Sequence, residues 1–203
     1  MKVLLAWSSG KDSAWALHVL RSREDVQVVG LLTTLNETHD RVAMHAVRRT
    51  LLEAQADAVG LPVQIVPIPS PCPNQAYEAA MERALAAART AGVDGVAFGD
   101  LFLEDVRHYR EEHMAGTGLV PLFPLWGRPT AELAREMIAS GQQATLTCVD
   151  PRVLSASFAG RAFDRDLLRD LPATVDPCGE RGEFHSFAWD GPAFRKQIGR
   201  AHV

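Results

Sequence analysis

"VLLAWSSGKDSAWAL", residues 3–17, decides the fold. An apolar run from Val3 to Trp7 breaks into Ser8-Ser9-Gly10-Lys11-Asp12-Ser13, and apolar residues then return at helical spacing through Ala14, Leu17 and Leu20. Such a run reads as a buried parallel strand and its continuation, Asp12 to Arg21, as a helix. The break between them suits a phosphate: a Gly lets backbone N–H groups approach closely, a helix start adds partial positive charge, and Lys11 supplies a full one. It is not a Walker A loop, because Leu5 stands five residues before Gly10 and Asp12 follows the Lys where a Ser or Thr is required. Asp12 would repel a phosphate unless it caps the helix or holds a magnesium ion that bridges to the phosphates. The plainer alternative is an ordinary helix start, capped by Ser9 or Asp12, with Lys11 in solvent. The combination of buried strand, Gly, Lys, Asp and Ser favours phosphate.

Working outward, Val26 to Leu32 reads as a second strand, and Arg41 to Val59 as a helix with Met44, Val47, Leu51, Leu52, Ala54 and Ala58 on one face, stopped by Gly60 and Pro62. Val63 to Ile68 is a third strand, Gln75 to Ala91 a helix closed by Gly92, and Gly95 to Phe98 a fourth strand ending at Gly99-Asp100. Strands alternating with helices predict an α/β fold, a doubly wound parallel sheet. Pro121 to Pro129 reads as a loop and supplies the boundary between domains 1–125 and 126–203. The second, smaller α/β domain holds helices near Thr130–Ala139 and Asp164–Asp170 and strands near Ala144–Val149 and Phe184–Trp189. Ligands of such sheets bind beyond the carboxyl ends of the strands. Ser8 to Ser13, Thr33-Thr34 and Gly99-Asp100 all fall there.

The chain has 203 residues, 47% hydrophobic and 23% charged, with a net charge of -4, which describes a globular protein and argues against a general nucleic-acid binder. Cys72, Cys148 and Cys178 are widely spaced and form no CxxC, so a reducing compartment and a cytoplasmic location are expected. No segment approaches the ~18 apolar residues of a membrane helix.

The segment "DPCGERGEFHSF", residues 176–187, gathers Cys178, Glu180, Glu183 and His185 on a turn made by Gly179 and Gly182. A zinc site would use only two of these where four ligands are usual, and Cys178 also fits a buried inert thiol. Two carboxylates and an imidazole there suit binding an ammonium ion, deprotonating it or orienting an acceptor. On an extended segment Glu183 and His185 share one face, and Phe184 and Ser186 the other. His45 fits either a packed helical histidine or a substrate contact. Arg107 and Glu111, spaced i,i+4, make either a surface ion pair or a pair facing the pocket. Trp126 reads as packing.

Two motifs carry a resemblance. "SSGKDS" resembles the "SGGKDS" loop of the ATP pyrophosphatase superfamily, with Ser9 in place of a Gly; its hydroxyl would be a possible phosphate donor. "DPCGERGEFHSF" resembles the "DPCGENGEFHT" signature of the diphthine-ammonia ligase family within it. "VAMHAVRRTLLEAQADAVGLP", "GDLFLEDVRHYREEH", "PLW" at Pro124–Trp126 and "AGRAFD" agree in order over nearly the whole chain. Arg181 replaces an Asn, His113 stands where many members carry a Cys, and "RVAMHAVRR" is similar to a branch of the family whose substrate need not be diphthine.

The resemblance implies a Rossmann-like nucleotide-binding domain and an ATP-dependent, amide-forming ligase. A carboxylate attacks the α-phosphate, pyrophosphate leaves, and ammonia displaces AMP. Ser8, Ser9, Gly10, Lys11, Asp12 and Ser13 would hold ATP, with magnesium on Asp12 and adenine near Thr33, Thr34, Gly99 and Asp100. Lys11, Glu183 and His185 would be catalytic, and His45, Arg107, Glu111, Cys178 and Glu180 would contact substrate. The partners implied are ATP, ammonia and a carboxylate, borne by a modified elongation-factor side chain if the organism makes diphthamide. A different carboxylate or a tRNA base as acceptor, or an ATP-binding module without turnover, are the alternatives.

Overall fold

The computed structural model describes residues 1–199. Its central sheet is built from β1 (Lys2–Ala6), β2 (Gln27–Asn36), β3 (Arg41–Val42), β4 (Val63–Ile68), β5 (Gly95–Ala97) and β6 (Val120–Leu122). Five of these strands run parallel in the order β4-β2-β1-β5-β6. The order reverses at β1, so the crevice beyond β1 and β5 is the topological switch point. Helices α1 (Lys11–Arg21), α2 (Arg49–Val59), α3 (Asn74–Thr90) and α4 (Glu104–Met114) connect the strands.

The carboxy-terminal part adds α5 (Thr130–Ala139), β7 (Gln143–Val149), a 3₁₀ turn (Ala156–Phe158), α6 (Arg165–Asp170) and β8 (Phe184–Asp190). Strands β7 and β8 form a separate antiparallel pair. This pair lies against the first turn of the chain: the Ala188 N–H donates to the Ser9 carbonyl at 3.0 Å. Gln55, fully buried, donates to the Ser9 and Ala188 carbonyls at 2.9 and 2.6 Å and accepts from the Trp7 indole at 2.9 Å. One apolar core continues from Val3, Trp7 and Leu17 through Leu133 and Leu167 to Phe187 and Ile198.

Two sequence expectations fail. Residues 41–48 are not the first turns of α2: β3 pairs antiparallel with the end of β2, and the chain turns back through Met44 and Ala46 at φ 63° and 56° before the helix begins at Arg49. The apolar period of 44–58 runs through a turn that neither Gly nor Pro marks. Pro121, read as loop, lies inside β6, where the sheet edge tolerates a residue with no N–H to donate. Among the described residues no helix is long and apolar enough to cross a membrane.

Candidate active site

The loop after β1 presents its backbone. Helix α1 begins with Gly10 as its N-cap and no side-chain cap, so the capping alternative for Ser9 and Asp12 is not what the structure adopts. The first N–H groups of a helix have no partner within it, and here they start at the switch point. Gly99 shows how tightly β5 closes on this turn: a Cβ there would stand 3.3 Å from the Asp12 carbonyl carbon and 3.3 Å from the Ser13 nitrogen. Ser9 adopts φ 71°, the left-handed region that a Gly would occupy without strain, and its side chain is fully buried. Its hydroxyl is unpartnered and does not line the cavity, so the expected phosphate donor is turned inward.

A cavity of about 780 Å³ opens over this loop, lined by Ser8, Lys11, Asp12 and Ser13 from the loop, Thr33 and Thr34 from β2, and Gly99 and Asp100 after β5. Thr33 and Thr34 lie inside β2 rather than at its end; β2 outruns β1, so both face the space beyond Ala6. The Thr33 hydroxyl is spent on the Trp7 carbonyl at 2.8 Å. Lys11 is 2% exposed and its ammonium donates to both Asp12 oxygens, at 3.0 and 2.8 Å, and to the Cys178 carbonyl. Burial alone would lower its pKa, but Asp12, with Cys178 and Glu180 adding to it, carries the pKa above the ordinary value. The Asp12 carboxyl is pushed up by burial, against the pull of Lys11.

The far wall is the 176–186 turn. Asp176 accepts the N–H groups of Cys178 and Glu180 at 3.1 and 3.0 Å, and Gly179, at φ 70°, packs so close to Phe184 that a Cβ would lie 2.9 Å from its carbonyl oxygen. Glu183 completes the turn from within: one oxygen accepts the Asp176 N–H and the other the Arg181 N–H, both at 3.0 Å. It is 6% exposed and does not line the cavity. The expectation that Glu183 and His185 present one catalytic face is therefore corrected: Glu183 precedes β8, in the turn, while His185 and Ser186 both line the cavity. Ser186 Oγ accepts the Lys11 N–H at 3.2 Å, a contact the alternation argument assigned to the opposite face.

Glu180 is the carboxylate that faces the cavity. One of its oxygens accepts the Leu101 N–H at 2.7 Å, tying the turn to the loop after β5. Burial raises its pKa to about 7; the Leu101 N–H opposes the rise, and Asp12 and Asp100 add to it. The His45 and His185 rings meet at the cavity wall with centroids 4.4 Å apart, tilted 47° to one another. Burial lowers both, His45 to about 3 with His185 and Lys11 contributing, so both rings are neutral near pH 7. His45 sits in the β3–α2 turn, not on a helix. Cys178 is 1% exposed, its thiol donates to the Thr130 carbonyl at 3.5 Å, and burial pushes its pKa well up, so the sulfur is an inert thiol.

Arg107 and Glu111 do not reach the cavity. They form an i,i+4 pair at 2.7 Å, with Arg107 lying over Phe123 and Trp126, 4.8 Å from each ring centroid. The face of α4 turned inward carries Arg110, which pairs with Asp100 at 2.7 Å and stacks on Phe98 at 4.5 Å. Sequence reasoning missed Arg110; an acidic residue after β5 and four arginine or histidine residues on one helix did not fix the helix phase.

A parallel sheet with an uncapped helix start and a buried Lys at its switch point defines an α/β protein of the nucleotide-binding class. The chain belongs to the diphthamide synthase family: the model of that family's N-terminal domain matches residues 1–119 and that of its C-terminal domain residues 129–202. It is similar to the diphthine--ammonia ligases of Bos taurus, 27% identical over 220 aligned positions that cover 98% of this chain and 82% of the relative, and of Homo sapiens, 26% identical with the same coverage. To the Danio rerio enzyme of that name it is 37% identical over 119 positions, 52% of this chain and 44% of the relative. It is accordingly an ATP-dependent ligase that forms an amide.

Proposed function

We propose that the unit 1–125 holds ATP on the Ser8–Ser13 loop and that the unit 126–203 closes the cavity and handles ammonia through Glu180. The observation that carries this reading is the single cavity faced by the first turn of α1, Lys11, Glu180 and the His45–His185 pair. Asp12, beside Lys11 and partly exposed, suits one carboxylate ligand of a magnesium ion whose other ligands would be phosphate oxygens and water. That ion would neutralise phosphate charge. Among the described residues no group of three His, Cys, Asp or Glu side chains gathers to hold a metal.

In this reading an acceptor carboxylate of the diphthine type, borne on a protein side chain, attacks the α-phosphorus and pyrophosphate leaves. The loop amides and Lys11 stabilise charge developing on the phosphate oxygens. Ammonium is drawn to the acidic side of the cavity, where Asp12, Asp100 and Glu180 stand. The Glu180 carboxylate takes a proton from it; the nitrogen then attacks the acyl carbon and AMP departs. A base with a pKa near 7 is matched to that transfer at neutral pH. His45 and His185, both neutral, shape the polar wall beside the loop and carry no charge to compete with Lys11 for phosphate.

Calorimetric titration with ATP and magnesium tests the nucleotide site. Lys11→Ala is expected to weaken binding about 10- to 100-fold, the worth of a charge-assisted hydrogen bond. Unchanged affinity in a folded Lys11→Ala protein would overturn the assignment.

A further inference from the structure

A second cavity, of about 640 Å³, lies between α3 and α4, walled by Leu85, Ala86, Tyr109 and Met114 among others. It meets the nucleotide cavity at a shared wall of Tyr77, Met81, Phe98 and Arg110. Its volume falls in the range of small-molecule sites, and its lining is mostly apolar with a few polar groups, as such sites are. Nothing in the ATP chemistry described above uses it.

Charge placement singles out one point on the shared wall. The nucleotide cavity carries carboxylates at Asp12, Asp100 and Glu180, which repel an incoming carboxylate. Lys11 stands at the nucleotide loop, where the reading above gives it to the phosphates, and Arg181 is exposed at the rim. Arg110 is different. Its Nε and Nη2 donate to the two Asp100 oxygens at 2.7 and 3.4 Å, and Phe98 supports the guanidinium plane at 4.5 Å. A guanidinium has five N–H donors in a fixed fork, so one edge can be held by Asp100 while N–H groups on the other edge meet a second carboxylate. The Asp100 pair sets the plane of that fork and side-chain entropy is already lost before a ligand arrives.

We propose that the α3–α4 cavity is the acceptor subsite of this ligase, and that Arg110 at its junction with the nucleotide cavity holds the carboxylate that is adenylated. The acceptor is then a carboxylic acid on an elongated, largely apolar arm. The arm lies along Met81, Leu85 and Met114, and the carboxylate emerges beside Arg110 into the space over the Ser8–Ser13 loop. Glu78, Glu82 and Tyr109, at the outer rim, are where the far end of the arm or its carrier would pass. This assignment rests on the nucleotide reading given above and deepens it by naming the acceptor's chemistry and place.

The test uses the full chain, with aminophenylbutyrate as the probe and its neutral carboxamide as the control, titrated by calorimetry in the presence of ATP and magnesium. The acid is expected to bind with an affinity in the millimolar range or better and the carboxamide about tenfold or more weakly, as loss of one charge-assisted contact requires. Arg110→Gln is expected to remove the preference for the acid over the carboxamide. Because removing Arg110 leaves Asp100 unpaired and can disturb folding, Ala86→Trp supplies the second variant. Ala86 is an exposed helical residue lining the cavity, and an indole there occupies part of the space the arm would take. Ala86→Trp is expected to lose probe binding while binding ATP as the parent does.

Equal binding of acid and carboxamide, undiminished probe binding in Ala86→Trp, or no probe binding by a chain that binds ATP would each overturn the subsite. Failure of the parent chain to bind ATP would instead overturn the nucleotide reading, so the two failures are separable. The same acid acylated through its amine to a short peptide distinguishes the sources: binding of both forms assigns a carrier-borne arm, and binding of the free acid alone assigns a small molecule.

Discussion

The two ends of the active site are made by opposite means. The Ser8–Ser13 loop offers backbone: a helix start without a side-chain N-cap, with buried Lys11 reaching from Asp12 to the Cys178 carbonyl. The 176–186 turn offers side chains, and sorts two glutamates three residues apart into different tasks. Glu183 faces inward and accepts two backbone N–H groups; Glu180 faces the cavity and is tied only to Leu101. A backbone site is legible from a short motif because its chemistry depends on conformation that Gly and a strand–helix junction enforce. A side-chain site depends on which way each residue points out of an irregular turn, and residue type alone does not say.

The largest effect expected is on turnover. Asp12→Asn keeps a side chain of the same shape, and since no side chain caps α1 there is no cap to lose. Stability is expected to fall, because buried Lys11 loses its counter-charge, while magnesium-dependent AMP release of the folded protein falls by about 100-fold or more, because an amide is a poor ligand for a hard cation. Full activity with lowered stability would reverse the role given to Asp12 and make the loop a structural element.

The next largest is on stability, at the other end of the site. Glu183→Ala strands the buried Asp176 N–H, worth about 1–3 kcal/mol when unpaired, and frees the part-buried Arg181 N–H toward water, so a loss of about 1–3 kcal/mol is expected in urea denaturation. A loss no greater than about 0.5 kcal/mol, the scale of an ordinary surface substitution, would return Glu183 to the cavity.

The histidine pair and Glu180 make a third test through pH. His45 stays neutral in the folded protein down to about pH 3, whereas the unfolded chain protonates it near 6.5. Between those values the unfolded state binds more protons, and the His45 contribution lowers stability as pH falls, by about 1.4 kcal/mol per unit. Glu180, raised to about 7, binds its proton in the folded state first and works in the opposite direction between about pH 7 and its unfolded value. The two nearly cancel in the parent, so the difference between variants is the readout. On going from pH 7 to about pH 5, His45→Asn is expected to lose about 2 kcal/mol less stability than the parent. Parallel pH curves for the two proteins would mean that His45 titrates normally.

The smallest effect concerns the backbone of the loop. Ser9 in the left-handed region costs about 1–2 kcal/mol that Gly does not pay, offset by about 0.5–1 kcal/mol of extra chain entropy lost by Gly on folding. Ser9→Gly is expected to raise the melting temperature slightly and leave ATP affinity unchanged, because the Ser9 hydroxyl is turned away from the cavity. Weakened ATP binding in Ser9→Gly would show that the hydroxyl reaches the phosphates.

Much of the fold was legible. The strands β1, β4, β5, β7 and β8 and the helices α1, α3, α5 and α6 follow from apolar period and from Gly and Pro stops. What was lost has physical causes: Met44 and Ala46 reverse the chain at positive φ without a Gly, and Pro121 sits in an edge strand that needs no N–H from it. The cavity lining was legible at the loop after β1 and at Gly99-Asp100, and Thr33-Thr34 reach it from inside β2 rather than from a strand end. It was not legible on α4, where a phase difference of three residues replaces Arg107 by Arg110, nor at Glu183, where the turn rather than strand alternation sets direction.

The division of labour between the two glutamates is tested most directly by the pH profile of ammonium-dependent AMP release, measured between about pH 6 and 8 for the parent, Glu180→Gln and Glu183→Gln. The parent rate is expected to rise with pH through a pKa near 7, as Glu180 ionises into the base form. Glu180→Gln should lose that limb and about 100-fold or more in rate, while Glu183→Gln, where it remains folded, should keep the limb in place. A Glu180→Gln enzyme that retains both the rate and the limb, with Glu183→Gln losing them, would contradict the account.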